Sequence, residues 1–195
     1  GGKVGLMNEV AKGLLDIKAV QIKTDSFFTW TSGIKSPIYC DNRLTMSYPS
    51  IRKKITQAFI EKINEMEQKP EVIAGCATAG IPHAAWLADA LGLPMVYVRS
   101  KAKEHGKGNQ IEGEVPAGKR VLLIEDLIST GGSVLNAAKA LKEADADIIG
   151  VLAIFTYGLE KAKKQFADAQ VPYDTITNYD ALLNILQTSG QINDE

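Results

Sequence analysis

The stretch VLLIEDLISTGGSVL, residues 121–135, constrains the fold of this chain more than any other. Its leading apolar run is typical of a strand that is buried on both faces of a sheet. The turn Ser-Thr-Gly-Gly-Ser at residues 129–133 then opens a helical run from about residue 134. The stretch therefore predicts a buried strand that leads through a glycine turn into a helix.

Two acidic residues, Glu125 and Asp126, follow the apolar run, where the strand would leave its sheet. The amides at a helix start offer unpaired donors and a partial positive charge, so the hydroxyls and amides of the turn suit a phosphate. The acids would repel that phosphate and must face ribose hydroxyls, a sugar cation or a bound metal. The pattern predicts a ribose-5-phosphate site.

A plainer alternative is that the acids end a strand and that Ser133 caps a helix. Paired acids directly before a turn of hydroxyls and glycines favour ligand binding over this alternative. Two other kinds of phosphate loop are excluded, because the chain has no G-x-x-x-x-G-K-[ST] sequence and no G-x-G-x-x-G that opens a helix after a strand.

From residue 72 onwards, short apolar runs alternate with helical patterns. Strands are predicted at residues 72–74, 95–99, 121–124, 148–155 and 173–177, and helices at residues 81–91, 134–144, 159–167 and 179–186. This alternation predicts an α/β fold, a Rossmann-like parallel sheet flanked by helices with right-handed crossovers. Ligands bind beyond the carboxyl ends of the strands in such sheets, and Arg99, Glu125 and Asp126 map to that edge.

The N-terminal part follows other patterns. Residues 8–19 and 49–66 have helical spacing, whereas residues 27–42 read as an irregular extended segment. The length of 195 residues suits a single domain, with a core at about residues 46–175. About residues 1–45, together with the C-terminal segment, are expected to form a small hood over the ligand edge.

Composition narrows the function classes. The formal net charge of −1 gives no reason to expect nucleic acid or a membrane surface as a partner. No apolar run approaches the ~20 residues of a membrane span, and no secretory signal is visible. Cys40 and Cys76 stand far apart without metal-ligand spacing, so we expect reduced core thiols and a cytoplasmic location.

The segment RSKAKEHGKGNQIEG, residues 99–113, interrupts the alternation. It is nearly free of apolar residues, so it cannot pack into a core. Because it begins at the carboxyl end of a strand, beside the predicted phosphate site, we interpret it as a cationic lid over a polyphosphate rather than a solvated basic loop. Its cations are Arg99, Lys101, Lys103, His105 and Lys107.

These motifs resemble a known family. IEDLISTGGS, residues 124–133, resembles the phosphoribosyl-pyrophosphate (PRPP) motif of type I phosphoribosyltransferases. The lid segment and FTWTSGIKSPIYCDNR, residues 28–43, resemble the orotate phosphoribosyltransferases in particular. The resemblance implies the type I phosphoribosyltransferase fold. It also implies a pentosyltransferase that joins orotate to C1′ of PRPP, giving orotidine 5′-monophosphate and pyrophosphate in de novo pyrimidine (UMP) synthesis.

The same resemblance implies roles for individual residues. Lys103, Asp126 and Glu125 would be catalytic, with Glu125 and Asp126 facing the ribose. Ser129 and Lys35 would bind orotate. The implied PRPP-binding set is Arg99, Lys103, His105, Glu125, Asp126, Leu127, Ile128, Ser129, Thr130, Gly131, Gly132 and Ser133.

The resemblance further implies Mg²⁺ carried by PRPP rather than held in a protein cage, and a homodimer in which each lid reaches the partner's site. The sequence departs from the family pattern at Thr31, Cys40, Ala79 and Tyr157, in the region of the orotate contacts. Two alternatives stay open. One is a phosphoribosyltransferase for a purine base, and the other is a PRPP-sensing regulator of the same fold that binds DNA, although the chain has neither spare length nor positive charge for DNA binding.

Overall fold

The structure, a computed structural model, describes residues 2–23, 28–29, 35–101 and 110–189, with the side chains of residues 5–23, 37–101 and 110–189. The first elements are α1 (Gly2–Asp16), β1 (Val20–Ile22), β2 (Phe28–Thr29), β3 (Lys35–Ser36), β4 (Ile38–Cys40), the 3-10 helix η1 (Asn42–Ser47) and α2 (Pro49–Glu65). The alternating part is β5 (Val72–Cys76), α3 (Gly80–Leu91), β6 (Met95–Val98), β7 (Ile111–Glu112), β8 (Arg120–Ile128), α4 (Gly132–Glu143), β9 (Asp147–Thr156), α5 (Glu160–Ala169), β10 (Tyr173–Asn178) and α6 (Tyr179–Thr188).

The predicted α/β architecture is confirmed. Six strands form one sheet in the order β10-β9-β8-β5-β6-β7, parallel throughout except for the antiparallel edge strand β7. The chain moves from β5 outwards to β6 and then returns to β8 on the other side of β5. Right-handed crossovers in opposite directions place their helices on opposite faces of a sheet. A crevice therefore opens between the carboxyl ends of β5 and β8, which is the usual ligand position in such sheets.

Alternate strand residues face two separate cores. One core, packed by α1, α2, α3 and α6, contains Ile73, Leu122, Ile124, Leu152 and Ile154. The other, packed by α4 and α5, contains Val72, Ala74, Leu123, Val151 and Ala153. Because successive side chains of each central strand point to opposite faces, both faces of the sheet are buried.

The N-terminal elements pack into the first of these cores. Val10 and Leu14 of α1 are fully buried there, and β1 pairs with β4 in an antiparallel ribbon. The ribbon leads directly into η1, which lies against the end of β8. Among the described residues, no helix is long and apolar enough to cross a membrane.

Three predicted boundaries were wrong. The first helix, predicted at residues 8–19, spans Gly2–Asp16 instead. The strand predicted to end at residue 124 continues to Ile128, because β8 keeps pairing with β9 up to Thr156 after its pairing with β5 has stopped at Gly75 and Ile124. The polar segment 99–113 ends in the short strand β7, since Ile111 packs against the sheet core and pairs with Val98.

Candidate active site

Glu125 and Asp126 lie at the carboxyl end of β8, beside the crevice. The Glu125 side chain is only 6% exposed, and its Oε1 accepts a hydrogen bond from the Asp126 amide at 2.9 Å. Burial and the neighbouring Asp126 carboxylate raise the pKa of Glu125 well above its usual value, and burial also raises the pKa of Asp126. The pair therefore holds a proton more tightly than isolated carboxyls do, and a nearby positive charge would favour its ionised form.

The thiol of Cys76, at the end of β5, links this acid pair to α4. It donates a hydrogen bond to Glu125, and its Sγ lies 3.9 Å from the Ser133 Oγ. Burial and the Glu125 carboxylate raise the pKa of Cys76, so it stays a protonated thiol. Cys76 thus bridges the two strands on either side of the crevice.

The start of α4 is the second part of the site. Its N-cap is Gly131, with φ 90°, and no described side chain caps the helix. The alternative that Ser133 caps α4 is therefore wrong, and the first amides of the helix keep their donors for another acceptor. Gln165 of the neighbouring helix α5 donates to the Thr130 carbonyl at 2.7 Å and so supports the turn.

The turn between β5 and α3 closes the other side of the crevice. A Cβ added to Gly80 would lie 2.5 Å from the Ile124 carbonyl oxygen, so only glycine lets α3 start this close to β8. The peptide bond between Ala77 and Thr78 in this turn is cis. The close approach of α3 makes the crevice narrow at its base.

Arg99 follows β6 at the same edge of the sheet and is exposed. With β5 between β6 and β8, it lies about 10 Å from β8 at the usual strand spacing. Its amide donates to the Gln110 carbonyl at 2.7 Å, and Gln110 Nε2 returns a bond to the Arg99 carbonyl at 3.2 Å. These two bonds hold Arg99 and Gln110 of the polar segment together.

The structure brings together Arg99, the acid pair and the whole turn that follows it, residues 127–133, at one edge of the sheet. Leu127 and Ile128 lie within β8, and the Ile128 side chain is buried in the core. Lys103, His105 and Thr31 lie outside the described residues, as does the side chain of Lys35.

Comparison with known proteins identifies the family. A model of the phosphoribosyl transferase domain matches residues 46–185. The chain is 63% identical over 187 residues to a protein of Oceanobacillus iheyensis named orotate phosphoribosyltransferase, covering 96% of this chain and 93% of that protein. The chain belongs to the orotate phosphoribosyltransferase family. The family assignment made from the motifs is thus confirmed.

Further orotate phosphoribosyltransferases agree. One of Fusobacterium nucleatum is 57% identical, with 97% of this chain and 91% of that protein covered. The crystal structure of an orotate phosphoribosyltransferase from Aeropyrum pernix has a TM-score of 0.78 at 27% identity, and covers 94% of this chain and 99% of that one. The fold is therefore shared along nearly the whole length of both chains.

Two of the departures from the family pattern, Cys40 and Tyr157, are packing residues here. Cys40 is buried and donates to Asn42 Oδ1 at 3.1 Å. Tyr157 stands edge-on to Phe155 with the ring centroids 5.5 Å apart, and it hydrogen-bonds the Cys40 backbone. Arg43 is exposed and forms an ion pair with Asp41, with Nε 2.8 Å from Oδ1. Cys40 and Tyr157 therefore supply no cation at these positions, whereas Arg43 provides an exposed one.

Sequence reasoning missed two residues that hold the site, Asn42 and Gln165. Asn42 Nδ2 donates to the Asp126 carbonyl at 2.9 Å, across 84 positions of sequence. Asn42 lies within the segment 28–43 that carries the family resemblance, but no local pattern indicates its contact or that of Gln165, because each acts on a segment distant in the chain.

Proposed function

We propose that this chain transfers the 5-phosphoribosyl group of PRPP to orotate, forming orotidine 5′-monophosphate and releasing pyrophosphate, as a step of UMP synthesis. One observation carries the proposal: an acid pair, with Glu125 buried and Asp126 half-buried, precedes the turn into an uncapped helix start, at the point where the strand order reverses. The names of the relatives at 57–63% identity agree with this reaction.

The 5-phosphate binds at residues 129–133 and the first turn of α4. The free amides there supply donors, and the helix dipole favours an anion. Ser129, Thr130 and Ser133 add hydroxyl donors, while Gly131 and Gly132 keep the backbone accessible. The uncapped state of α4 supports this assignment, because a side-chain cap would compete with the phosphate.

The acid pair faces the ribose. Breaking the bond from C1′ to the pyrophosphate oxygen leaves an oxocarbenium-like sugar, so a carboxylate fixed nearby lowers the barrier. Asp126 performs this role and Glu125 binds the ribose hydroxyls. The burial that raises their pKa values also strengthens the attraction between the ionised pair and a positive charge on the sugar, which supports the assignment.

The pyrophosphate binds to Arg99, Lys103 and His105, with Lys103 as the main catalytic group of the lid. Mg²⁺ carried by PRPP supplies further neutralisation of the leaving group. Among the described residues, no group of three or more His, Cys, Asp or Glu side chains is arranged to hold a metal. The oxygen donors of Glu125 and Asp126 fit a cation that is bound largely by substrate phosphates and water.

The orotate base binds between the phosphate turn and the N-terminal segment, through Ser129 and Lys35. Arg43 is a further candidate for the orotate carboxylate, because it lies next to Asn42, which contacts β8 directly. Its side chain is 64% exposed, and its guanidinium keeps donors beyond those shared with Asp41.

A homodimer in the cytoplasm, with each lid closing on the partner's site, completes the proposal. The exposed apolar side chains Tyr39, Leu44, Met46 and Tyr48 cluster in sequence around η1 and support a protein contact there.

Mixing Lys103→Ala and Asp126→Asn subunits tests the shared lid. If lids act in trans, mixed dimers hold one intact site and the mixture recovers about a quarter of the parent's activity; if lids act in cis, none returns.

The reaction itself is tested by incubating the chain with PRPP, Mg²⁺ and one base at a time. Orotate is expected to yield orotidine 5′-monophosphate and an equal amount of pyrophosphate, whereas hypoxanthine and adenine yield no nucleotide. Nucleotide formed from hypoxanthine but not from orotate would contradict the proposal.

A further inference from the structure

A chain of buried polar groups connects α3 to the end of β8. His83 Nε2 lies 3.1 Å from Thr45 Oγ1, and Thr45 Oγ1 lies 2.6 Å from the Asn42 carbonyl oxygen. Asn42 Nδ2 then donates to the Asp126 carbonyl at 2.9 Å. Asn42, Thr45 and His83 are at most 2% exposed, so water does not compete for these bonds.

Each hydrogen bond in this series of buried groups has a defined donor and a defined acceptor. The Thr45 hydroxyl must donate to the Asn42 carbonyl, so it accepts from a neutral His83. Burial lowers the pKa of His83 to about 4, which keeps it neutral. The Cys40 thiol donates to Asn42 Oδ1, so the amide turns Nδ2 towards Asp126. If the Asn42 amide were flipped, its oxygen would face the Asp126 carbonyl oxygen and repel it. The two contacts therefore determine the orientation of the Asn42 amide.

Asn42 contacts the end of β8 at an edge where pairing with β5 has already stopped. Pairing of β8 with β5 stops at Ile124, so beyond that residue no described strand pairs with the edge of β8 that faces β5. The amide of Asn42 satisfies the Asp126 carbonyl at this edge. The peptide that carries the Asp126 side chain is therefore held by the N-terminal segment rather than by the sheet alone.

We propose that Asn42 is a positioning residue, whose bond to the Asp126 carbonyl sets the Asp126 carboxylate against C1′ of the bound PRPP. The inference rests on the proposed function. In this role Asn42 acts through Asp126 and not on a substrate. Because small misplacements of a catalytic group are costly, its loss lowers the rate of the chemical step far more than it weakens PRPP binding, by up to about 100-fold.

The decisive variant is Asn42→Asp, which keeps the shape and loses the donor. At pH 8 the introduced carboxylate faces the Asp126 carbonyl without a proton to donate, so kcat falls at least 10-fold while the Kd for Mg²⁺–PRPP changes less than threefold. Burial holds the pKa of such a carboxyl high, so lowering the pH restores a donor. The ratio of variant to parent kcat therefore rises between pH 8 and pH 6. The titrating neighbours Cys40, Asp126, Glu125, Asp41, Tyr157 and Arg43 are present in both proteins and largely cancel in this ratio.

Thr45→Val is the matched control. It removes two bonds of the same buried chain but leaves the contact between Asn42 and Asp126, so it lowers Tm and keeps kcat within twofold of the parent. Asn42→Ala is expected to lose activity at every pH without recovery. A kcat for Asn42→Asp within twofold of the parent, a pH-independent ratio, or an equal kcat loss in Thr45→Val would overturn the inference. Failure of the parent to convert orotate would instead contradict the proposed function, and the same ratios would then be measured with whichever base it accepts.

Discussion

The ring of Phe166 fills the space beside Gly131 that a side chain would need. A Cβ built on Gly131 would lie 2.9 Å from Phe166 Cε2, closer than such contacts occur. Gly131 also has φ 90°, a backbone conformation that L-residues rarely adopt. Position 131 therefore requires glycine for two independent reasons, and α5 sets the path of the turn that leads into α4.

Replacing this glycine should damage both stability and PRPP binding. Gly131→Ala combines a left-handed backbone cost of about 1–2 kcal/mol with an overpacking cost of about 1–3 kcal/mol. Gly92→Ala is the control, because Gly92 has φ 67° but open space around its Cβ position. Urea unfolding should show a larger loss for Gly131→Ala. Equal losses in the two variants would mean that the Phe166 contact is unimportant.

Asp126→Asn should lower kcat by about 10²–10³, the usual scale for losing one electrostatic contact to a transition state. The Kd for PRPP should change much less, because the phosphate turn is untouched. Steady-state kinetics with orotate and equilibrium PRPP binding measure the two effects. Asp174→Asn removes a carboxylate near the opposite edge of the sheet, where Asp174 pairs with Lys62 at 2.8 Å, and should leave kcat unchanged.

Glu125→Gln should stabilise the protein at neutral pH while lowering its activity. The pKa of Glu125 is raised in the folded state, so the folded protein binds more protons than the unfolded chain, and stability falls as pH rises above the unfolded value near 4.5. Glutamine does not ionise, so the variant does not lose stability in this way. A Tm gain of a few degrees is expected at pH 8, since about 1 kcal/mol shifts Tm by roughly 2–4 °C at this size. The gain should vanish at pH 4, and a gain of the same size at both pH values would argue against a buried, titrating Glu125.

His83 should contribute to stability with the opposite pH dependence. Burial lowers its pKa from 6.5 to about 4, so the unfolded chain binds more protons between these values. Stability is therefore full above pH 6.5 and is lost as the pH falls towards 4, by about 3 kcal/mol in total. His83→Gln should flatten this part of the curve of unfolding free energy against pH. His105→Gln, in the polar lid segment, should not change it; the reverse pattern would place the titration elsewhere.

Lys103→Ala should lower kcat much more than it weakens PRPP binding, because in the proposed mechanism this cation acts mainly on the departing pyrophosphate. A loss of about 10²-fold or more is expected. Lys119→Ala, an exposed residue just before β8, provides the matched change in net charge. An unchanged kcat in Lys103→Ala would remove Lys103 from its catalytic role.

Most of the fold was predictable from local patterns. Among the described residues, the five strands of the parallel sheet and every α-helix except α1 were predicted within a few residues, because each is encoded by its own periodicity and bounding turn. The start of α1 was predicted six residues too late. Wrong strand boundaries arose where pairing with a neighbour extends a strand, as β9 does for β8 beyond Ile124. The edge strand β7 escaped prediction for the same reason, since Ile111 becomes a strand residue only through its pairing with Val98.

The features of the site also fall into those that local sequence predicts and those that it does not. The sequence by itself determined the acid pair, the phosphate turn and the cationic segment, because these are contiguous motifs whose chemistry depends on residue type and order. Only the tertiary structure decided that strand order reverses between β5 and β8, that Gln165 and Phe166 support the turn from α5, and that Asn42 holds the Asp126 peptide. These features depend on contacts between segments far apart in the chain, and such contacts leave no periodic or local trace in the residues that make them.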